Sequence, residues 1–165
     1  MTQGSSKTFH LVQVSANGLW DLQPAVNRMT EIERERGAEV RRCQQLLPAE
    51  QQICNQSLDG WSRNENIGSV AMEISHSNGL IRAAGAPSIT AAQIKNEPEA
   101  LDAFMQTLAD NNEALFVVLE KTGFEQYRKI KAKAIEHKVP LGWEPWYSGD
   151  PIYFWGNSGR SLMVQ

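Results

Sequence analysis

Residues 114–123 read Ala-Leu-Phe-Val-Val-Leu-Glu-Lys-Thr-Gly, an apolar run closed by a turn signal. The run predicts a buried strand, and the helical spacing of apolar residues beyond Gly123 predicts a helix. Gly142-Trp-Glu-Pro145 is then expected in a second strand. A strand, a crossover helix and a second strand form the unit that starts a parallel sheet, so we predict such a unit in the C-terminal half.

The helix after Gly123 divides into two sides by its own periodicity. Lys129 and Lys133 project away from the predicted sheet. Lys131 and Lys138 fall near the apolar side, where their stems are expected to lie along it with the ammonium groups in water. The residues predicted to face the sheet are Phe124, Tyr127, Ile130, Ala134 and Ile135.

Another helix is predicted ahead of the apolar run. Asn96 followed by Glu99 matches a capping box, and Pro98 suits the first turn. The helix is expected to end near Asp110, before two asparagines that tolerate left-handed backbone geometry. Its apolar stripe consists of Leu101, Phe104, Met105 and Leu108.

The N-terminal third predicts a strand over residues 8–15 and then a long helix. Asp21 is the expected cap of this helix, and its apolar residues recur at intervals of three and four, with Arg36 in the one gap. Pro48 is expected to end it. A second short helix is predicted over residues 48–58, with its proline in the first turn.

Residues 66–87 admit two interpretations. In the first, residues 70–74 and 79–84 are strands joined at Asn78-Gly79, a strong hairpin signal. In the second they belong to a helix-turn-helix, which would place Gly79 inside the recognition helix at a cost of about 1 kcal/mol relative to Ala. This cost favours the hairpin.

The composition is that of an ordinary globular domain, with 165 residues of which 41% are apolar and 21% charged, enough to bury one core. We predict a single domain over residues 1–165, in which residues 1–66 form a strand and a helical part and residues 67–165 a core that contains the sheet. The fold class is therefore α+β or α/β, with a small sheet, the parallel unit in the C-terminal half and an N-terminal helical segment.

No stretch approaches the roughly 18 consecutive apolar residues of a membrane helix, and the N-terminus lacks the apolar core of a signal peptide. We therefore expect the chain in the cytoplasm, without a membrane partner. In that reducing compartment Cys43 and Cys54 are predicted to be two buried or half-buried thiols, kept in different helices by Pro48.

Motifs of catalysis and of metal binding do not occur in the sequence. It has no His-Glu-x-x-His, Cys-x-x-Cys, Gly-x-Ser-x-Gly or phosphate-binding-loop pattern. His10, His76 and His137 are too scattered along the chain to suggest a metal site with the cysteines. We therefore predict no catalytic residue, no metal and no cofactor. The missing motifs favour a protein that is not an enzyme without deciding the question.

Positive charge is concentrated in one segment. The chain carries −3 overall, but residues 121–138 hold six of its sixteen Lys and Arg residues against two glutamates, so this segment is +4 and the remainder −7. Such asymmetry indicates an anionic partner on one face. Thr122-Gly123 is the candidate anion-binding turn, because backbone N–H groups and a hydroxyl are available there. The candidates for contact with nucleic-acid phosphates are Lys121, Arg128, Lys129 and Lys133.

A further pattern consists of Thr122-Gly123, Phe124, Tyr127-Arg128, Ala134 and Gly142-Trp-Glu-Pro145, preceded by the helix that begins at Pro98. With these residues the chain resembles, over roughly residues 79–146, the large polyvalent protein-associated domain found beside relaxases and plasmid primases. The resemblance implies an accessory domain of a plasmid or phage protein, which assists DNA processing in conjugation or docks a partner.

The sequence does not indicate an oligomeric state. Two further functions fit it. A small-ligand-binding protein or enzyme would use the carboxyl ends of the parallel strands near residues 120–122, where an acid and a base would converge on a pocket. A protein-binding adaptor or immunity-type protein would use an acidic N-terminal surface that contains Glu31, Glu35 and Glu39.

Overall fold

The computed structural model describes residues 7–59 and 61–156, and the chain divides into two compact units. The first unit contains residues 7–23 and 85–148, and the second contains residues 24–59, 61–84 and 149–156. Each unit has its own sheet, one mixed and one antiparallel. Because helices accompany both kinds of strand pairing, the predicted α+β class is confirmed.

The strands are β1 (Thr8–Ser15), β2 (Gly18–Asp21), β3 (Ser62–Ile67), β4 (Val70–Ser75), β5 (Gly79–Ala83), β6 (Ile89–Thr90), β7 (Glu113–Glu120), β8 (Leu141–Trp146) and β9 (Ile152–Trp155). The helices are α1 (Gln23–Gln44), α2 (Pro48–Asp59), α3 (Ala91–Asn96), α4 (Pro98–Asp110) and α5 (Phe124–Glu136), and a 3-10 turn at Lys121–Gly123 leads into α5. Among these described helices, none combines the length and the apolar character that a membrane span requires.

The first unit is built on a five-stranded sheet with the order β6-β2-β1-β7-β8. β7 and β8 are parallel neighbours, with Val117 opposite Trp143, and α5 connects them. The predicted strand-helix-strand unit is therefore confirmed. β1 is the second parallel neighbour of β7, and β2 folds back on β1 as an antiparallel hairpin.

Helices α3, α4 and α5 pack on one face of this sheet. Alternate residues of β7 point toward them, as expected for a strand, and join a single apolar cluster. From α5 this cluster takes Tyr127, Ile130 and Ala134, as predicted. The same prediction was wrong for Phe124 and Ile135, which are exposed. Both lie about a quarter turn from the centre of the buried arc, because a helix turns by roughly 100° per residue.

The start of α4 differs from the prediction, because the capping box lies one helix earlier. Thr90 Oγ1 accepts a hydrogen bond from the backbone N–H of Gln93, and Gln93 Oε1 accepts one from the N–H of Thr90. These bonds begin α3, which the sequence analysis did not predict. Asn96 is the last residue of α3, and α4 begins at Pro98 without a side-chain cap.

The second unit contains an antiparallel sheet with the order β3-β4-β5-β9. β4 and β5 form the predicted hairpin, with Met72 opposite Ile81, so the helix-turn-helix alternative is wrong. Helix α1 lies against this sheet, since Arg28 Nε and Glu65 Oε2 are 3.0 Å apart and Arg36 Nε donates a 3.1 Å hydrogen bond to the carbonyl oxygen of His76.

Cys43 and Cys54 form a disulfide, so the prediction of two thiols was wrong. Their Cα atoms are 5.6 Å apart although the residues are separated by 11 positions. Pro48 was expected to keep the cysteines apart by ending a helix. In the structure α1 already ends at Gln44, and Pro48 is the first residue of α2. The connection between them folds the second helix back on the first and so brings the two cysteine side chains together.

Candidate functional site

Helix α5 has two solvent-facing flanks of different chemistry. On one side of the buried arc, four residues at the spacing i, i+4, i+7 and i+11 line up along the helix, because this spacing follows its turn. We call these four residues the outer stripe: Phe124, Arg128, Lys131 and Ile135.

The outer stripe combines exposed apolar groups with cations. Phe124 is 44% exposed and Ile135 67%, and the two positions between them are exposed basic residues. The stripe contains no acidic residue, and neither Arg128 nor Lys131 has an ion-pair partner within the described residues. It is therefore an uncompensated cationic surface with an apolar group at each end.

Trp143 of β8 extends this surface. The centroid of its ring is 6.1 Å from that of Phe124 and 5.8 Å from that of Tyr127, and the side chain is 45% exposed. β8 is the last strand on its side of the sheet, and in the described part of the chain residues 141–144 have no strand on their outer side. An aromatic pair, two cations and a strand edge thus adjoin one another.

The opposite flank of α5 is neutralised by ion pairs. Lys129 Nζ lies 4.0 Å from Glu125 Oε1, at the distance limit of an ion pair. Lys133 Nζ lies 2.9 Å from Asp102 Oδ1 and 3.3 Å from Glu136 Oε2. Asp102 in particular raises the pKa of Lys133, so the ammonium group stays protonated and paired with these carboxylates. We call Glu125, Lys129, Lys133 and Glu136 the ion-pair flank.

Three side chains at the end of this flank could in principle hold a metal ion. Ligand atoms of Asp102, Glu136 and His137 lie within 4.8 Å of one another. The hydrogen bond from His137, followed by that from Lys133, lowers the pKa of Asp102. Because the Lys133 ammonium group already contacts both carboxylates, the chain supplies the cation for this cluster itself.

The four cations predicted to contact phosphates do not form one surface. Arg128 belongs to the outer stripe, whereas Lys129 and Lys133 belong to the ion-pair flank. Lys121 is exposed in the 3-10 turn before the helix. Lys131, which was expected to lie along the apolar side, is exposed in the outer stripe. Contact of this set with nucleic acid stays a prediction.

The turn that leads into α5 is held against β1. Thr122 Oγ1 accepts a 3.3 Å hydrogen bond from the backbone N–H of Ala16. A Cβ atom at Gly123 would come within 2.8 Å of the carbonyl oxygen of Val14, so only glycine allows this approach. The hydroxyl and the glycine thus have structural roles, and the anion-binding role predicted for the turn stays a prediction.

The carboxyl end of β7 holds a buried acid, Glu120, which is 8% exposed. Its Oε2 accepts a 3.2 Å hydrogen bond from Nε2 of the buried Gln13. An amide is neither an acid nor a base, so the contacts seen among the described residues do not form the acid and base pair that a catalytic site at this edge requires.

The outer stripe was not predicted, because Phe124 and Ile135 were assigned to the buried side of the helix. A signal was present in the spacing, since positions 124, 128, 131 and 135 are one helical line without an acidic residue. The line contains two cations but only one of the four predicted nucleic-acid contacts, Arg128.

Comparison with known proteins yields no significant match to any protein-family model, curated protein or solved structure. The resemblance to the relaxase- and primase-associated domain therefore stays a prediction.

Proposed function

We propose that this protein is a non-enzymatic interaction module whose outer stripe and Trp143 bind an extended acidic segment of a partner protein. The outer stripe supports this function best. Two cations without ion-pair partners among the described residues lie between two exposed apolar side chains, and an anionic chain with apolar side groups has the complementary pattern.

The residue types are those that carry binding energy in protein interfaces. Aromatic residues and arginine are enriched at the centres of such interfaces, where they fill pockets and displace water. Arg128 follows Phe124 by one helical turn, so a single ligand segment can contact a ring and a guanidinium group together. The guanidinium group pairs with a carboxylate through two parallel hydrogen bonds, which orients the ligand.

The strand edge supports an extended ligand. An exposed edge offers backbone N–H and C=O groups to a further strand, and many domains bind peptides by adding a strand to a sheet. Residues 141–144 of β8 lie beside Phe124 through the contact with Trp143. A segment paired with this edge would direct alternate side chains toward the outer stripe.

The nucleic-acid role is the rival that the resemblance implies, as an accessory domain of a mobile-element protein. A net charge of −3 opposes long-range attraction of any anionic ligand, and it opposes a ligand with the charge density of nucleic acid more strongly than a short acidic segment. Two of the four predicted contacts, Lys129 and Lys133, already pair with carboxylates. Affinity for duplex DNA depends largely on the number of phosphates that Lys and Arg side chains neutralise, and the outer stripe and Lys121 together supply only three such cations.

The disulfide also favours a partner outside the cytoplasm. Bonds such as Cys43–Cys54 persist in oxidising compartments and are rare in the cytoplasm, where the sequence analysis expected this chain. Alkylation of protein isolated from its native cells, before and after reduction, measures the state of the bond by mass. If both thiols react without reductant, the cytoplasmic expectation is retained.

Fluorescence anisotropy with two labelled probes tests the proposed function. The first is a peptide in which phenylalanine, glutamate, glutamate and leucine occupy alternate positions with serine between them, so that one face of the strand complements the outer stripe. The second is a single-stranded oligonucleotide of similar charge. We expect saturable binding of the peptide that weakens with salt, because part of the affinity is electrostatic. The variant Arg128→Gln/Lys131→Gln should lose at least about tenfold in affinity, equivalent to about 1.4 kcal/mol.

Lys129→Gln/Lys133→Gln is the matched control, because it removes the same charge from the ion-pair flank of the same helix. It should change peptide affinity by less than about threefold. Equal losses in both variants would overturn the proposal. Tighter binding of the oligonucleotide, with a loss in the Lys129 and Lys133 variant, would favour the nucleic-acid role instead.

A further inference from the structure

The second unit contains a cavity that has no part in the proposed function. Its volume is about 540 Å³, within the range of sites that enclose small molecules. α1, the end of α2 and the start of β3 form its walls. The described residues that line it include Glu35, Arg36, Glu39, Leu58, Trp61 and Arg63.

Two guanidinium groups in this lining retain hydrogen-bond donors. Arg36 uses Nε for the carbonyl of His76 and lies over the ring of Trp155, but within the described residues its Nη atoms have no hydrogen-bond acceptor. Arg63 lies over the ring of Trp61, its Nη2 donates a 3.4 Å hydrogen bond to Glu35 Oε2, and its buried Nε lies 3.9 Å from Glu65 Oε1. Its Nη1 is the donor that has no acceptor in the same part of the chain. The cavity therefore offers a carboxylate unused donors in a pre-organised position.

The same lining contains two carboxylates. Glu35 contacts Arg63 through Oε2 only, at 3.4 Å, and Glu39 contacts Arg42 through Oε2 only. Each therefore has a second oxygen to which an ammonium group can donate. Charges of both signs thus line one cavity, in equal number.

We propose that this cavity binds a small zwitterion with an apolar side chain, namely an amino acid or a dipeptide. Arg36 and Arg63 would receive the carboxylate, and Glu35 and Glu39 the ammonium group. The apolar side chain would contact Trp61, Leu58 and Ala38. A ligand of one sign alone would place its charge beside like charges in the same lining, which disfavours it.

The disulfide connects the two helices that form walls of the cavity. Cys43 follows Arg36 by two helical turns on α1, and Cys54 precedes Ser57 by about one turn on α2. The bond therefore sets the position of the α2 wall against the α1 wall, so the walls are held in place before a ligand arrives. Pre-organisation of this kind lowers the entropy lost on binding.

Isothermal titration calorimetry with L-leucyl-L-phenylalanine and its capped forms tests the proposal. The free dipeptide should bind saturably. The N-acetyl form and the C-terminal amide should each bind at least about tenfold more weakly, because each lacks one charge. If no heat of binding appears up to about 10 mM, or if either capped form binds as well as the free dipeptide, the proposal is wrong.

Two variant pairs locate the site. Arg36→Gln should reduce affinity at least about tenfold, whereas Arg34→Gln, an exposed residue of the same helix, should leave it within about twofold. Glu35→Gln and Glu33→Gln form the matching pair for the ammonium group. Far-UV circular dichroism and a thermal melt of each variant exclude unfolding as the cause, and equal effects within a pair would overturn the assignment of the site.

Discussion

The ring of Phe124 meets the indole of Trp143 nearly perpendicularly, with 6.1 Å between the ring centroids. One residue begins α5 and the other lies in the neighbouring edge strand, so the contact joins the two elements that form the proposed binding face. Each side chain is partly exposed and yet restrained by the other. A ligand would therefore meet aromatic rings that are already ordered, which lowers the entropy lost on binding.

A double-mutant cycle measures this contact. Phe124→Ala, Trp143→Ala and the double variant should give a coupling energy of about 0.5–1.5 kcal/mol in chemical denaturation, as is usual for edge-to-face aromatic pairs. Phe124→Ala combined with Phe9→Ala is the control, since Phe9 packs edge-on against Phe116 instead. Coupling as large in the control as in the test pair would contradict the geometry.

The orientation of α5 predicts opposite results for two isoleucines. Ile130 is fully buried, so Ile130→Ala should lower the free energy of unfolding by about 2–5 kcal/mol. Ile135 is 67% exposed, so Ile135→Ala should change it by less than about 0.5 kcal/mol but weaken binding of the acidic peptide. Urea denaturation of both variants measures the two changes in the free energy of unfolding. A large loss of stability at Ile135 would restore the original prediction that it faces the sheet.

Two glycines should respond in opposite directions to alanine. Gly123→Ala should destabilise the protein by about 1–3 kcal/mol, because the new Cβ would press on the Val14 carbonyl oxygen. Gly37 lies inside α1, where a Cβ meets only the mobile end of Arg41 at 3.3 Å, so Gly37→Ala should stabilise by about 0.5–1 kcal/mol. Thermal denaturation of the two variants side by side distinguishes close approach from helix propensity.

His10 should make stability depend on pH. Burial of the imidazole opposes protonation, but hydrogen bonds to Asp21 at 2.7 Å and Glu113 at 2.8 Å outweigh it and raise the pKa of His10 above 6.5. Since the folded pKa is the higher one, this stabilisation is complete below about pH 6.5 and is lost as the pH rises through the folded pKa. Chemical denaturation from about pH 5 to pH 8 should show the decline.

The variant His10→Gln is the control for this pH dependence. It retains a polar side chain but cannot acquire a charge, so its stability should lack the decline above about pH 6.5. Parallel curves for the variant and the native chain would show that another group causes the dependence.

Removal of the disulfide should destabilise the second unit. Cys43 and Cys54 close a loop across 11 positions, and a cross-link of this length contributes about 2–4 kcal/mol by restricting the unfolded chain. Cys43→Ala/Cys54→Ala should lower the denaturation midpoint, and reductant should lower that of the native chain but not of the double variant. An unchanged midpoint of the native chain in reductant would contradict the bond.

The sequence predicted the position of helix α5 and part of its buried side, but not all of it. The periodicity predicted a helix between two strands and identified Tyr127, Ile130 and Ala134 as core residues. The periodicity does not show how wide the buried arc of the helix is, because that width depends on how the sheet and α4 surround the helix. Phe124 and Ile135 were therefore placed in the core although they are exposed.

The sequence likewise predicts only part of the cavity in the second unit. Arg36 occupies a position in the apolar repeat of α1, which is a signal that this side chain faces the interior. The sequence could not supply its neighbours, because Trp61 and Arg63 approach it only through the pairing of β3 in a sheet.

Local spacing alone determined the parallel unit, the β4–β5 hairpin and the stripe of α4, because each depends on residues that are neighbours along the chain. Tertiary structure decided which charges remain unpaired, which aromatic rings stay exposed and that Cys43 reaches Cys54. These properties depend on distances between residues far apart in sequence, and the packing of the folded elements sets those distances.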